Sequence, residues 1–257
     1  MSSGQPSVAV LLSAGRHPVS RAARACHGDA VALGLARRLG ADKVLALHAG
    51  DAGEPSLRDY HALGAEHIEV LPFAAGFEVL PALVHRLRTV DVIVTGGRAE
   101  TGLGSGLLPY ALAHALGRPV VGNVLEAHPG DASMRIRQFL PKGKRRGVRA
   151  LIPIVLIAHP LAPVDLRYAH ARRVTGQISV GRPGPSREPA SDDLWSIEPD
   201  ARRPIPLRAQ DRKAGHARLM SAIASEANAG VVAIEGSCVD KAQVLLSYLR
   251  EHRLVDF

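Results

Sequence analysis

At 257 residues with 46% apolar side chains, the chain has material for one large core or for a domain with an appendage, which excludes a disordered or fibrous polypeptide. With 32 Lys and Arg against 24 Asp and Glu the formal charge is +8, which favours acidic partners, while four Phe and one Trp supply too few stacking platforms for a single-strand nucleic-acid binder. Two distant cysteines, Cys26 and Cys238, give neither a disulfide framework nor a metal-binding pair, so the expected compartment is reducing and cytoplasmic.

The opening Met1-Ser-Ser-Gly-Gln-Pro-Ser7 lacks a charged n-region and enters an apolar run too short for a signal or a membrane span, so no membrane insertion is expected. Short apolar runs at residues 8–12, 44–47, 68–71, 90–94 and 120–124 read as strands, the first four of them parallel. Between them, residues 29–39, 56–63 and 77–87 carry apolar side chains at three- and four-residue spacing, as crossover helices need. Successive strand–helix–strand units predict an α/β fold with a doubly wound, mainly parallel sheet. Ligands of such sheets sit beyond the carboxyl ends of the strands at a switch point, where Ser13-Ala-Gly15 and Gly96-Gly97 meet if the first and fourth strands are neighbours.

The strand ending at Val94 runs into Thr95-Gly-Gly-Arg-Ala-Glu-Thr-Gly-Leu-Gly-Ser-Gly106 and then into a helix. Glycines at 102, 104 and 106 permit positive φ and close backbone approach, so amide groups there, with Ser105, are placed to converge on an anion at the helix N-terminus. The spacing is neither that of a P-loop nor that of the dinucleotide fingerprint, and a ligand-free strand-to-helix turn is the plainer alternative.

From Met134 the pattern becomes a hairpin followed by a strand at residues 151–157, with Lys142, Lys144, Arg145, Arg146 and Arg149 around the turn, where water solvates them. Residues 181–206 are rich in Pro, Arg, Ser and Asp and read as a linker or extended arm. A helix at 213–228, an apolar run at 230–234 and a helix from Ser237 to Leu254, capped by Ser237 or Asp240, complete the chain. The division is thus an α/β domain over 1–180 and an arm over 181–257, which packs on the domain or on another subunit.

Catalytic chemistry is not evident. The histidines, among them His17, His27, His48, His61 and His67, fall on different elements, and His159 and His170 lack metal-ligand spacing. Ser105 is out of register for a nucleophile elbow, and Cys26 beside His27 reads as a packed small residue. Asp29 and Glu100 are candidates for hydrogen bonds to a ribose or base, or are surface charges.

Taken together these residues resemble the beta subunit of electron transfer flavoproteins over almost the whole chain. The glycine-rich loop leading to Leu116-Gly-Arg-Pro119 carries the likeness, with Ala62-Leu-Gly-Ala65, Leu151-Ile-Pro-Ile-Val-Leu-Ile157 and Arg167-Tyr168-Ala169. The resemblance implies an adenine-nucleotide-binding (HUP-like) domain with a β-hairpin insertion and an extended C-terminal arm. It implies an electron carrier rather than an enzyme: a heterodimer in which this chain buries a structural AMP while an alpha subunit holds most of the FAD. Carried over, the cofactor-binding positions are Leu11, Leu12 and Ser13 at the end of the first strand, Asp29, and Gly96, Arg98, Thr101, Gly102, Gly104, Ser105 and Gly106 of the loop. Arg16 or the hairpin cations are placed to meet flavin phosphates or partner carboxylates. The implied partners are the alpha subunit, a flavin dehydrogenase as donor and a quinone-linked or iron–sulfur acceptor.

This chain departs from the family pattern at Cys26-His-Gly28, at the basic Pro141-Lys-Gly143 of the hairpin and at His170-Ala-Arg-Arg173, where the family docks acyl-CoA dehydrogenases. A dehydrogenase of methylated amines is therefore one candidate donor. An ATP- or AMP-using enzyme and a nucleotide sensor on the same fold are the alternatives.

Overall fold

The computed structural model describes residues 5–39, 44–73, 78–102, 104–185, 235–251 and 255. The chain divides into two compact units, Met1–Asp193 and Leu194–Phe257. In the first unit the elements follow in the order β1 (Val8–Leu12), β2 (Ala14–Arg16), β3 (Ala23–Ala25), α1 (His27–Arg38), β4 (Val44–Gly50), α2 (Leu57–Ala62), β5 (His67–Pro72), α3 (Leu80–Leu87) and β6 (Val92–Thr95). They continue with α4 (Leu108–Leu116), β7 (Val120–Pro129), β8 (Ser133–Phe139), β9 (Arg145–Leu151), β10 (Ile154–Ala158), α5 (His170–Thr175) and β11 (Gln177–Val180).

Nine strands form one sheet in the order β11-β5-β4-β1-β6-β10-β7-β8-β9. The pairs from β11 through β7 are parallel, and β7-β8-β9 continue antiparallel as a flap at one edge. The central strands β1, β6 and β10 are buried along their whole length, as strands covered on both faces must be. Their side chains alternate between two cores. Val8, Val10, Val92, Val94 and Leu156 pack with Leu33 and Leu35 of α1 and Leu57 of α2 on one face. Ala9, Leu11, Ile93 and Val155 pack with Leu83 and Leu87 of α3 and Leu112 of α4 on the other. Helices therefore cover both faces of a mostly parallel sheet, as the apolar runs and helical spacings predicted.

Helix α4 ends where Gly117 turns left-handed at φ 63°, its amide donating to the His114 carbonyl, which releases the chain into β7. Three elements were not foreseen: the β2–β3 hairpin, α5 and β11, each three to six residues long. The hairpin cations also differ from expectation. Only Lys142 and Lys144 lie in the turn, because pairing of Phe139 with Arg145 starts β9 there and puts Arg145, Arg146 and Arg149 on an exposed edge strand.

In the second unit the described helix is α6 (Cys238–Glu251). Ser237 and Asp240 cap it reciprocally: the Asp240 carboxylate accepts from Ser237 N and Oγ at 2.8 and 2.7 Å, and Asp240 N donates to Ser237 Oγ at 3.2 Å. The expected helix at 213–228 and the run at 230–234 lie outside the described residues.

Gly34 sits in the buried middle of α1, where a Cβ would come within 2.8 Å of Val164 Cβ. Alanine there gains about 1 kcal/mol of helix propensity but overpacks a branched side chain at a cost of about 1–3 kcal/mol. Gly34→Ala is expected to lower stability by about 1 kcal/mol in urea denaturation, and adding Val164→Ala is expected to turn the same change stabilising.

Candidate functional site

The sheet order runs outward in opposite directions from β1 and β6, which pair directly at Val8↔Val92, so the loops leaving their carboxyl ends diverge and open a crevice. The N-terminus of α1 closes one side of it. A Cβ on Gly96 would overlap Asp29 Oδ1 and lie 2.8 Å from the Gly28 carbonyl carbon, so only glycine lets the end of β6 approach this helix so closely.

Asp29, in the first turn of α1, is buried beneath that contact. Its Oδ2 accepts from Ser13 N at 2.8 Å and Ser13 Oγ at 2.5 Å, and its Oδ1 accepts from Gly96 N at 3.2 Å. One carboxylate thus joins both strand ends to the helix. Burial raises its pKa to about 6, against the opposing pull of the Ser13 and Gly96 hydrogen bonds.

The loop from Gly97 forms the other side. Gly102, Gly104 and Gly106 have φ of 70°, 56° and 74°, a region that L side chains seldom enter. Among the described residues a Cβ on Gly102 would meet nothing within 4 Å, and one on Gly104 only the Ala99 carbonyl oxygen at 3.4 Å. Backbone conformation and open space, rather than packing, thus favour glycine at these two positions. Thr101 pins the loop by donating from Oγ1 to the Ala14 carbonyl at 2.9 Å. Ser105 Oγ accepts from Leu107 N at 3.3 Å, so it supports the entry to α4 while staying exposed. Arg98 is exposed. At the end of β6, Thr95 Oγ1 is buried without a hydrogen-bond partner.

Around the mouth runs a set of ion pairs that the sequence did not reveal. Arg16 binds Glu54 through both guanidinium nitrogens at 2.7 and 2.6 Å, which holds the Glu54 pKa down at about 2. Glu100 accepts from Arg16 N at 3.2 Å and from Arg24 at 2.9 Å, so the β2–β3 hairpin braces the glycine loop. Below it Tyr60, fully buried, donates to the Ser13 carbonyl at 2.7 Å and accepts from Cys26 N at 2.9 Å. His48 approaches the Leu12 carbonyl at 2.9 Å through Nδ1, and burial lowers its pKa. Ser13, Asp29 and Gly96 therefore meet at the ends of β1 and β6 with Thr101 tied to Ala14, whereas Leu11 is packed in the core beneath α3 and α4 and Leu12 in the opposite core. Cys26 is buried, burial raises its pKa, and its Sγ lies 3.7 Å from the Arg98 carbonyl oxygen. Among the described residues no group of three His, Cys, Asp or Glu could hold a metal, and no helix is long and apolar enough to cross a membrane.

Since the Asp29 pKa rises from 3.8 to about 6 on folding, the native state holds the extra proton between those values. Stability from this group is present below pH 4 and lost as pH rises through 6, by about 3 kcal/mol in all. Asp29→Asn cannot ionise. Its stability relative to the native protein is expected to climb by that order between about pH 4 and pH 7 and then level off, read from urea midpoints at stepped pH.

No family model matches the chain. A curated relative from Chromohalobacter salexigens, the electron transfer flavoprotein subunit beta, is 34% identical over 262 residues, covering 96% of this chain and 95% of the relative. With that likeness covering nearly the full length of both chains, the chain belongs to the electron transfer flavoprotein beta subunit family.

Proposed function

We propose that this chain is the beta-type subunit of a heterodimeric electron transfer flavoprotein, binding AMP as a structural element and helping to position FAD held mainly by an alpha subunit. Three left-handed glycines opening at the switch point, in a member of this family, carry the reading. The crevice suits an adenine nucleotide. The open face at Gly102 and Gly104 admits phosphate oxygens to backbone amides. Leu11, Leu12 and Ser13 would contact the nucleotide through backbone, and Arg98, Thr101 and Ser105 would meet its phosphate side.

Asp29 and Gly96 act beneath the ligand by fixing the two strand ends. FAD supplies the redox chemistry, and the chain's own residues bind, orient and shield. Leu107 and Tyr110, 65% and 51% exposed beside the glycine loop, favour a partner subunit covering that side. In this reading the first 180 residues form the adenine-nucleotide domain of HUP-like type and the arm from 181 packs on the alpha subunit. The carrier is not an enzyme, works in the cytoplasm, and takes electrons from a flavin dehydrogenase for a quinone-linked or iron–sulfur acceptor, a dehydrogenase of methylated amines being one candidate donor.

Co-expression with an alpha-type subunit, purification, and measurement of the visible spectrum and of nucleotide released on denaturation test the proposal. A 1:1 complex carrying flavin and AMP is expected. Gly104→Val, which forces a β-branched residue into positive φ, is expected to reduce AMP content at least about tenfold. Full AMP occupancy in that variant would remove the loop from the site, and ATP turnover by the isolated chain without flavin or a second subunit would sink the whole reading.

A further inference from the structure

The β2–β3 hairpin is inserted between the carboxyl end of β1 and the N-terminus of α1, at the switch point itself. It forms a two-stranded sheet of its own, outside the nine-stranded ladder, with three residues on each strand. Two strands of that length are not stable alone in water, so the hairpin's position is set by what ties it to its neighbours. Within itself it is closely paired. A Cβ on Gly15 would overlap the carbonyl oxygen of Arg24 opposite, and at the tip His17 N donates to the Ala22 carbonyl at 2.8 Å and Arg21 N to the His17 carbonyl at 2.9 Å.

The ties are of two kinds. At the root, the Tyr60 hydroxyl donates to the Ser13 carbonyl and accepts from Cys26 N, so one fully buried side chain grips both ends of the insertion. On the flanks the ties are ionic. Arg16 reaches Glu54 in the loop after β4, and Glu100 in the loop after β6 accepts from Arg16 N through one oxygen and from the Arg24 guanidinium through the other. Since β4 and β6 lie on either side of β1, the hairpin spans the carboxyl ends of three neighbouring strands. The Arg16 and Arg24 side chains are 32% and 41% exposed, so salt screens these pairs while leaving the buried root untouched. Buried hinge and exposed clasps together let the hairpin lift as a unit.

We infer that β2–β3 is a strap across the crevice, rooted at Tyr60 and clasped by Arg16–Glu54 and Arg24–Glu100, which has to open before an anionic ligand enters or leaves the glycine loop. Naming that ligand AMP rests on the function proposed above; the opening of the strap does not. Arg16 and Arg24 are positioning residues, since their guanidinium groups hold Glu54 and Glu100 rather than the ligand. Cys26 supplies a reporter that needs no ligand. It follows β3 directly, is buried, and its Sγ lies 3.7 Å from the Arg98 carbonyl oxygen at the start of the glycine loop, so a thiol reagent reaches it when hairpin and loop part.

The test uses the full chain purified with its alpha-type subunit and follows two rates. One is alkylation of Cys26 by iodoacetamide, read by peptide mass spectrometry; the other is release of radiolabelled AMP into excess unlabelled AMP. Both are expected to rise at least about fivefold in the native complex between roughly 0.03 and 0.5 M NaCl. In Arg16→Gln/Arg24→Gln both are expected to rise at least about tenfold at low salt, with little further response to salt. Arg38→Gln/Arg86→Gln removes the same charge and breaks the two-bond pair of Arg86 with Glu69 between α3 and β5, and is expected to keep both native rates. An equal rise in that control would assign the effect to lost charge or general loosening and overturn the proposal. Native rates indifferent to salt would overturn it whether or not the variant folds, and so would a change in one rate without the other. A complex that retains no AMP would count against the function proposed above, and the Cys26 rates would still decide whether the clasps hold the strap.

Discussion

The carboxylate of Asp29 is tolerated in the interior because donors from two strand ends reach it, Ser13 from β1 and Gly96 from β6, while it sits in the first turn of α1. These contacts fix where the two strands stop and how closely the helix approaches them. The glycine loop leaves from one of those ends and the braced hairpin from the other, so the geometry of the crevice follows from a single buried group. The raised pKa measures the tension in the arrangement, since removal from water costs more than three hydrogen bonds and the helix N-terminus return.

Around that anchor the chain separates two tasks. Rigid, apolar strands hold the crevice, and a ring of ion pairs at its mouth holds the loops. Arg16 with Glu54, and Arg24 with Glu100, link segments far apart in sequence, and Thr101 adds a neutral tie to Ala14. Restraint at Glu100 and Thr101 leaves the start of the glycine loop little freedom to reorder. Membership of the electron transfer flavoprotein beta subunit family fits such a scaffold.

Much of this was legible in the residues. Apolar runs such as residues 90–94 announced buried strands, here Val92–Thr95, three- and four-residue spacing announced the crossover helices, and the glycine cluster announced positive φ. The parts that stayed hidden share a cause. The β2–β3 hairpin and β11 are too short to show a period, and their pairing depends on neighbours supplied by the fold. Asp29 was singled out as a polar group near the ligand, but its bonds to Ser13 and Gly96 required knowing that β1 and β6 lie side by side. Glu54 and Tyr60 look like an ordinary surface acid and an ordinary helical aromatic until topology brings them to Arg16 and Ser13.

The place of β10 in the sheet bears on how the molecule is made. It lies between β6 and β7 yet follows both in sequence, after the whole antiparallel flap. During synthesis β7, β8 and β9 can pair locally while the facing edges of β6 and β7, rich in valine, wait for a strand that has not yet emerged. A ribosome stalled before Ile154 would hold a chain with two open apolar edges, the condition in which strands pair with the wrong neighbour. The centre of this sheet therefore closes only after its flap has formed, with the edge strand β11 alone still to join, and chaperone demand should peak just before β10 is translated.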